Sequence, residues 1–582
     1  SSGALTVASG FELYIPSGED YVPGGNVTTD KLHIKGTYTG ASETLSILGS
    51  GTGACDSSAA LTRPLCVDSG ATFTTNTNTT VFSGSSGSTI ENATYHNLSF
   101  TPTITTGVAY TFDSGAVYVN GDFTVNPTSA SSNALTVNLA GTLDVAPTGT
   151  ITLSGTTSGT STLDTVSGSN YSINSGYLNI GTAGTLSARA STITLEGTSG
   201  TIFTRSGTFN QGTSTVIYSQ TGGNTALTSG TITFYNLEVD MAGRTGTLGN
   251  TITVQNDLDV VEGTLYDGGN QITGNSTGTL TVTSGAFLSL GGTTTATSFP
   301  TLFTNPTIDL DVDSTVIYRA GVAQTVSIVP TYGNLHFEPV LVGDITYEIP
   351  TGIDVDGNLY IDPESGSAYT LTVNMTSDIT MASGKTITVT GTGSADSVLD
   401  TISGSDYSIT SDYIVIGALG TIKANASYIN VHQNWTCYGT LDAGTSTVYL
   451  NGTGNQTVTG STTFYNFTVD TTTTKTVTFT HDAMVYINDG GTLTLKGRSG
   501  NRLTLQSDTG IAWYLRAAES AATYISYADV SNSNAGGYKR IFATDGTNVN
   551  GGGNINWIFS PEGDVMTHFE RVNLEGVNVN SN

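Results

Sequence analysis

Apolar and polar residues alternate along most of this chain in short runs that Gly, Asn or Asp separates. Runs such as GTLDV, GTITLSG, GYLNIG and STITLEG place every second side chain on the same side, which is the period of a β-strand. The Gly and Asn residues between the runs tolerate the positive φ that tight corners require. The pattern therefore predicts an all-β protein made of short strands.

A long stretch of the pattern occurs twice. The sequence LTVN at Leu135–Asn138 recurs at Leu371–Asn374, an offset of 371 − 135 = 236 residues. LDTVSGSNYSI, which begins at Leu163, matches LDTISGSDYSI, which begins at Leu399, at the same offset. These matches predict a tandem duplication of about 235 residues.

A shorter theme recurs within each copy, in which a strand such as STVIY leads through a corner into an aromatic–Asn strand. Its central asparagines are Asn97, Asn236, Asn334 and Asn466. Two interpretations stay open for them: stacked side-chain ladders at a corner, or caps of individual turns.

Short strands with frequent corners are typical of a β-solenoid or of a row of β-sandwiches. The Gly-Thr strand fragments recur singly, and the Asn-Gly and Asp-Gly pairs that mark two-residue hairpins are few. The two copies also match without a Pro-rich linker. Both observations favour a long parallel β-helix, or β-solenoid, built from the tandem duplication.

The predicted organisation has five parts. These are an N-terminal cap with the first rungs and the Cys55–Cys66 loop (1–65), a first solenoid copy (66–300), a second copy (301–510), a C-terminal β capping segment (511–560) and a tail (561–582). The tail alternates apolar residues at Val572, Leu574, Val577 and Val579. This alternation predicts a strand that pairs either with a neighbouring subunit or with the protein's own solenoid.

The charge of the chain excludes some partners. There are 17 Lys and Arg against 46 Asp and Glu, a net charge of −29, so the chain repels phosphate backbones and anionic lipid. Nucleic-acid binding is not expected, and no run of about 20 apolar residues predicts membrane insertion. The chain begins at Ser1 without a basic and apolar leader, from which we expect a secreted protein whose signal peptide has been removed.

Cys55 and Cys66 bracket a short segment that contains Pro64, and they predict a disulfide that closes a small loop. Because no His or third Cys lies near them in the sequence, zinc is not expected there. Cys437 is left over, and we expect it to be buried as a small apolar residue.

Some polysaccharide lyases and hydrolases are also parallel β-helices, and their chemistry depends on acidic side chains. The run IDLDVDS predicts Asp309, Asp311 and Asp313 on one face of a strand, about 7 Å apart, where they could hold Ca²⁺ or act as a catalytic pair. No nucleophile elbow, phosphate loop or dinucleotide fingerprint is found. We therefore predict a protein that is not an enzyme and has no cofactor other than calcium at these three aspartates.

The stretch YISYADVSNS followed by Asn554–Trp557 resembles the closing segment of secreted parallel β-helix surface proteins, and NQTVTG with TFYNFTVD resembles the repeats of large bacterial and archaeal adhesins. The resemblance implies a β-solenoid at the cell surface. The leading hypothesis is a non-enzymatic extracellular subunit of a filament, fibre or coat that assembles with itself through β-strand contacts. The alternatives are an adhesin stalk that binds carbohydrate or another cell surface, and a β-helical polysaccharide-degrading enzyme or phage tailspike.

Overall fold

The computed structural model describes residues 3–55, 62–220 and 222–559. All regular secondary structure in these ranges is β: there are 67 strands, from two residues to the thirteen of Met484–Lys496, and no helix. Each strand pairs in parallel with the strand that lies one turn later in the chain, as Ala134–Asn138 does with Thr160–Asp164. The chain is a parallel β-solenoid of about 24 turns, which confirms the predicted fold class. The tandem duplication remains a prediction from the sequence.

The chain divides into two compact units, residues 1–292 with 297–315, and residues 293–296 with 316–582. Between residues 88 and 247 of unit 1, the turns contribute strands to three parallel columns. The first column contains Ser88–Ile90, Val108–Phe112, Ala134–Asn138, Thr160–Asp164, Gly184–Ser187 and Thr208–Asn210. The second contains Asn97–Phe100, Phe123–Val125, Thr150–Leu153, Tyr177–Ile180, Thr201–Arg205 and Thr225–Ser229. The third contains Val117–Val119, Leu143–Val145, Ile173–Ser175, Thr192–Leu195, Thr215–Ser219 and Asn236–Thr247.

Unit 2 has the same kind of columns. One contains Ile345–Ile349, Thr370–Met375, Asp396–Asp400, Gly420–Lys423 and Thr440–Asp442. Another contains Asn334–Phe337, Leu359–Ile361, Thr386–Val389, the second halves of Ile409–Ile416 and Tyr428–Cys437, and then Gln456–Thr459, Lys475–Phe479, Leu503–Ser507, Ala528–Ser531 and Val549–Gly552. A third contains Ile379–Thr380, the first halves of Ile409–Ile416 and Tyr428–Cys437, then Thr447–Leu450, the last parts of Thr462–Asp470 and Met484–Lys496, and Ala522–Ser526.

The core of each unit consists of the inward side chains of these columns. Leu98, Phe123 and Ile151 follow one another in register and are fully buried. In unit 2, the ring of Phe479 stacks on that of Trp513 with centroids 3.8 Å apart. Each such side chain contributes about 1.5–3 kcal/mol on burial, while the backbone hydrogen bonds between turns satisfy the peptide groups.

The first turns of unit 1 differ in that Glu12–Ile15, Lys31–Ile34 and Leu65–Val67 form a separate three-stranded parallel sheet. The longer connection before Leu65–Val67 carries Cys55. This sheet positions the densest cluster of reactive side chains that we find in the described ranges.

Candidate functional site

The three-stranded sheet aligns Tyr14, His33 and Cys66 in one column. Tyr14 lies opposite His33, and His33 lies opposite Cys66. Leu32 and Ile34 flank His33 and are fully buried in the core, so side-chain alternation places His33 on the outer side of its strand. His33 is nevertheless only 2% exposed. The outer side of the sheet is therefore covered at this point.

A disulfide and a carboxylate complete the column. Cys66 is bonded to Cys55, with the two Cα atoms 5.6 Å apart. His33 Nε2 lies 2.8 Å from Asp68 Oδ1, and the same oxygen lies 3.5 Å from Cys66 Sγ. The ammonium of Lys35 lies 3.8 Å from the second oxygen of Asp68. The imidazole of His33 and the sulfur of Cys66 therefore both lie next to the carboxylate of Asp68.

Arg63 supports the other side of the disulfide. Its guanidinium is 3% exposed, donates to Asp113 Oδ2 at 3.0 Å and pairs with the carboxylate of Glu91. Burial raises the pKa of the Glu91 carboxyl, and the charge of Arg63 opposes that rise. Cys55 Sγ lies 3.5 Å from Glu91 Oε2.

Two groups of metal-ligating types therefore share Cys66, within the ranges that the structure describes. One is His33, Cys66 and Asp68; the other is Cys55, Cys66 and Glu91, and in each the candidate ligand atoms lie within 4.8 Å of one another. In the disulfide state neither sulfur is a thiolate, which is the form of cysteine that binds metal ions.

This cluster is not predicted from the sequence. Zinc is not expected there because no His lies near Cys55 and Cys66 along the chain, whereas the parallel register places His33 directly beside Cys66, 66 − 33 = 33 residues away. The reason is that the sheet pairs residues one turn apart, so proximity along the chain does not measure proximity in space. The only signal was that KLHI and PLCV both alternate as strands.

The four asparagines of the recurring theme each connect one turn to the next. Asn97 Nδ2 donates to Thr79 Oγ1 at 3.3 Å, and its Oδ1 accepts the backbone N–H of Asp122 at 2.9 Å. Asn236 does the same with Thr215 and Asp257, at 3.1 and 3.2 Å.

The other two asparagines make part of this pattern. Asn334 accepts both the backbone and the side-chain N–H of Asn358, at 2.9 and 3.1 Å. Asn466 donates to Thr447 Oγ1 at 3.1 Å. The geometry is a mixed ladder of Thr, Asn and Asp, which lies between the two interpretations that the sequence left open.

The three aspartates of IDLDVDS do not share a strand face, so that part of the prediction is wrong. The strand is Ile308–Leu310 and contains Asp309 alone. Asp311 and Asp313 lie in the corner that follows, where the backbone N–H of Asp313 donates to Asp311 Oδ1 at 2.9 Å. The sequence has a strand-like alternation through Asp313, but the local side-chain hydrogen bond favours a turn. Calcium binding at these residues stays a prediction.

Two further predictions concern single segments. Cys437 is buried, as predicted, and burial raises the pKa of its thiol. Val572, Leu574, Val577 and Val579 lie outside the described residues.

The fold thus defines the class of the protein, a parallel β-solenoid, and the site contains a disulfide between the half-buried Cys55 and the buried Cys66, with an imidazole and two carboxylates around it. No protein-family model, curated protein or solved structure matches this chain. In the described ranges no helix is long and apolar enough to cross a membrane.

Proposed function

We propose that this protein is a non-enzymatic, extracellular structural protein that assembles with copies of itself into a filament, fibre or coat. The proposal rests on the last turn of unit 2. Within the described residues, Val549–Gly552 pairs only with Ala528–Ser531, and all four of its residues are exposed. A strand edge with unpaired backbone groups is a template for another chain.

Apolar side chains accompany this open edge. Phe542, Val549 and Ile555 in the last turns of unit 2 are 47%, 37% and 51% exposed. In the first turns of unit 1, Phe11 and Val22 are 66% and 56% exposed. Apolar surface of this kind favours association, at about 25 cal/mol for each Å² removed from water.

A double substitution at the open edge tests the proposal. Val549→Lys with Ile555→Lys puts charge on the edge, and we expect it to abolish assembly seen by electron microscopy and by sedimentation at high concentration. The matched control is Ile511→Lys, because Ile511 is 55% exposed but lies between strands away from the last turn. Wild-type protein that stays monomeric at high concentration would contradict the proposal.

The tail gives a second arm of the same test. If the alternating residues of the tail add a strand to a neighbouring subunit, removing residues 563–582 should prevent assembly. Unchanged assembly after this truncation would leave the open edge as the contact and rule out strand addition by the tail.

One observation favours the alternative of an adhesin stalk. The guanidinium of Arg516 lies between the rings of Tyr514 and Tyr538, 4.7 and 4.8 Å from their centroids. Its Nε is buried and has no hydrogen-bond partner within the described part of the chain. An arginine packed against two tyrosine rings, of which that of Tyr538 is exposed, suits a carboxylated sugar, which pairs with the guanidinium and stacks on tyrosine. A glycan array separates the two functions: Arg516→Gln should lose binding to uronate polymers, whereas the exposed control Arg540→Gln should keep it.

A further inference from the structure

The cluster around Cys66 changes its chemistry when the disulfide opens. In the oxidised chain, Asp68 Oδ1 lies 2.8 Å from His33 Nε2 and 3.5 Å from Cys66 Sγ. We propose that reduction of the Cys55–Cys66 disulfide converts this cluster into a Zn²⁺ site held by the imidazole of His33, the carboxylate of Asp68 and the thiolates of Cys66 and Cys55. This inference does not depend on the proposed function.

The residue types and their spacing fit zinc. Zn²⁺ takes four ligands from Cys, His and carboxylate groups, which places neighbouring ligand atoms about 3.3–3.8 Å apart. His33 Nε2, Cys66 Sγ and Asp68 Oδ1 already lie within 4.8 Å of one another, so shifts of about 1 Å or less would close the shell around an ion. Cys55 can supply the fourth ligand because its Cα lies 5.6 Å from that of Cys66.

The fold holds the ligands before the ion arrives. His33 and Cys66 are paired in register on adjacent strands, and Asp68 directly follows the strand Leu65–Val67. A backbone fixed in this way reduces the ordering that metal binding otherwise requires.

The charges around the cluster also suit a cation site with two thiolates. Two thiolates and one carboxylate exceed the charge of Zn²⁺ by one, and the Lys35 ammonium beside Asp68 offsets the excess. Arg63 pairs with Glu91, so the second carboxylate near the sulfurs is neutralised and leaves the ligand role to Asp68.

The redox step needs a named reductant. A dithiol attacks the disulfide, the S–S bond breaks, and two electrons and two protons pass to the sulfurs of Cys55 and Cys66 while the dithiol becomes a cyclic disulfide. Zn²⁺ then displaces both thiol protons, and His33 binds through the lone pair of its neutral imidazole. When a disulfide oxidises the two thiolates, the Cys55–Cys66 bond forms again, the oxidant takes up two electrons and two protons to become a dithiol, and the ion is released. The cluster therefore couples zinc binding to redox state.

Zinc titration of the 582-residue chain tests the proposal. After reduction with a phosphine, which does not compete as a thiol ligand, we expect one Zn²⁺ per chain in competition with a chromogenic chelator, and none for the oxidised chain. Co²⁺ in place of Zn²⁺ should show a thiolate-to-cobalt charge-transfer band. A reduced chain that binds no zinc would overturn the proposal.

Variants then separate this site from binding by two free thiols. His33→Gln should lower zinc affinity by about 100-fold or more, since loss of a group that only hydrogen-bonds to a ligand already costs about 10–100-fold. The matched control is His481→Gln, since His481 Nδ1 lies 3.1 Å from Asp508 but belongs to no group of three ligands in the described residues. Equal affinity for His33→Gln and wild type would overturn the proposal.

Cys55→Ser keeps the test independent of reduction. This variant frees Cys66 without any reductant, and we expect it to bind Zn²⁺ through His33, Cys66 and Asp68 in oxidising buffer. It should lose that binding when His33→Gln is added. Zinc binding by Cys55→Ser that survives His33→Gln would also contradict the assignment.

Discussion

Two regions that the sequence aligns at an offset of 236, one in each unit, build the same corner. Val166 and Ile402 both adopt positive φ, 65° and 60°. In each region the backbone N–H of this residue donates to the preceding aspartate, Asp164 or Asp400, at 2.8 Å. The corner thus requires an acceptor at one position and left-handed backbone two residues later.

The regions differ in the cation that neutralises this aspartate. Arg189 binds Asp164 through Nε and Nη2, at 3.0 and 2.7 Å. The position equivalent to Arg189 is 189 + 236 = 425, where Asn425 donates to Asp400 at 2.8 Å, and Lys423 supplies the charge at 2.9 Å. In both regions two side-chain hydrogen bonds reach the carboxylate of the aspartate. The cation that neutralises it stands at position 189 in the first region and two residues earlier, at the equivalent of 187, in the second.

In both regions these contacts lower the pKa of the aspartate. The pKa of Asp164 is lowered, mainly by the hydrogen bond from Arg189. For Asp400, burial alone would raise the pKa, but the hydrogen bonds from Lys423, the Ile402 backbone and Asn425 lower it on balance.

A second difference lies in the core. Phe203 in unit 1 and Trp435 in unit 2 lie in equivalent strands and face Phe234 and Phe464 respectively, with ring centroids 6.2 and 5.6 Å apart. Trp435 Nε1 donates to Thr462 Oγ1 at 3.0 Å. In unit 1 the residue before the matching TFYN sequence is the buried Ile232, which suits the wholly apolar Phe203.

The largest expected effect is the loss of either core ring. Phe203→Ala and Trp435→Ala should each lower the free energy of unfolding by about 3–5 kcal/mol, because both side chains are fully buried and leave a cavity. Urea denaturation measures the loss, and hydrogen exchange should confine it to the turns around each ring. The exposed Tyr438→Ala is the control, and an equal loss there would contradict the assignment of the core.

The next largest expected loss of stability comes from removing the hydrogen bond between Trp435 and Thr462. Thr462→Val should cost about 1–3 kcal/mol, because the buried indole N–H of Trp435 loses its acceptor. The double variant Trp435→Phe with Thr462→Val should recover part of that loss, since it restores the apolar pairing of unit 1. A double-mutant cycle with no coupling energy between the two sites would show that the hydrogen bond does not matter.

The sequence predicts the solenoid because its strand period and missing hairpin signals are local features. It also finds Cys55 and Cys66, which are close along the chain. It misses His33 and Glu91 as neighbours of the disulfide, since their proximity depends on the length of each turn, and no local pattern encodes that length. Asp68 is only two residues from Cys66, but without His33 it does not indicate a site. The prediction for Asp311 and Asp313 is wrong for the opposite reason. Their alternation is typical of a strand, but the hydrogen bond from the Asp313 backbone N–H to the Asp311 side chain stabilises a turn instead.

Relieving the backbone strain at Val166 and Ile402 should have a smaller effect on stability, of the same size in both regions. A β-branched residue in left-handed conformation costs about 1–2 kcal/mol, and Asn tolerates that conformation better. Val166→Asn and Ile402→Asn should therefore each raise the free energy of unfolding by roughly 1 kcal/mol. Val216→Asn is the control, because Val216 is buried in an ordinary strand and the change should destabilise. Stabilisation in one region only would mean that the two corners are not equivalent.

The smallest expected effect exchanges the ion pairs. Arg189→Asn removes the charge beside Asp164 and should cost about 0.2–1 kcal/mol, since Arg189 is 44% exposed and solvent screens the pair. Adding Ser187→Lys places the cation where unit 2 has Lys423 and should restore the wild-type value. The pKa of Asp164 is lowered in the folded chain, so the contribution of the pair is present above the ordinary pKa of about 3.9 and disappears as the pH falls through the lower, folded value. Wild type and Arg189→Asn should therefore differ at pH 6 and converge in strong acid (about pH 2), and a difference that persists at low pH would show that Arg189 acts by packing rather than by charge.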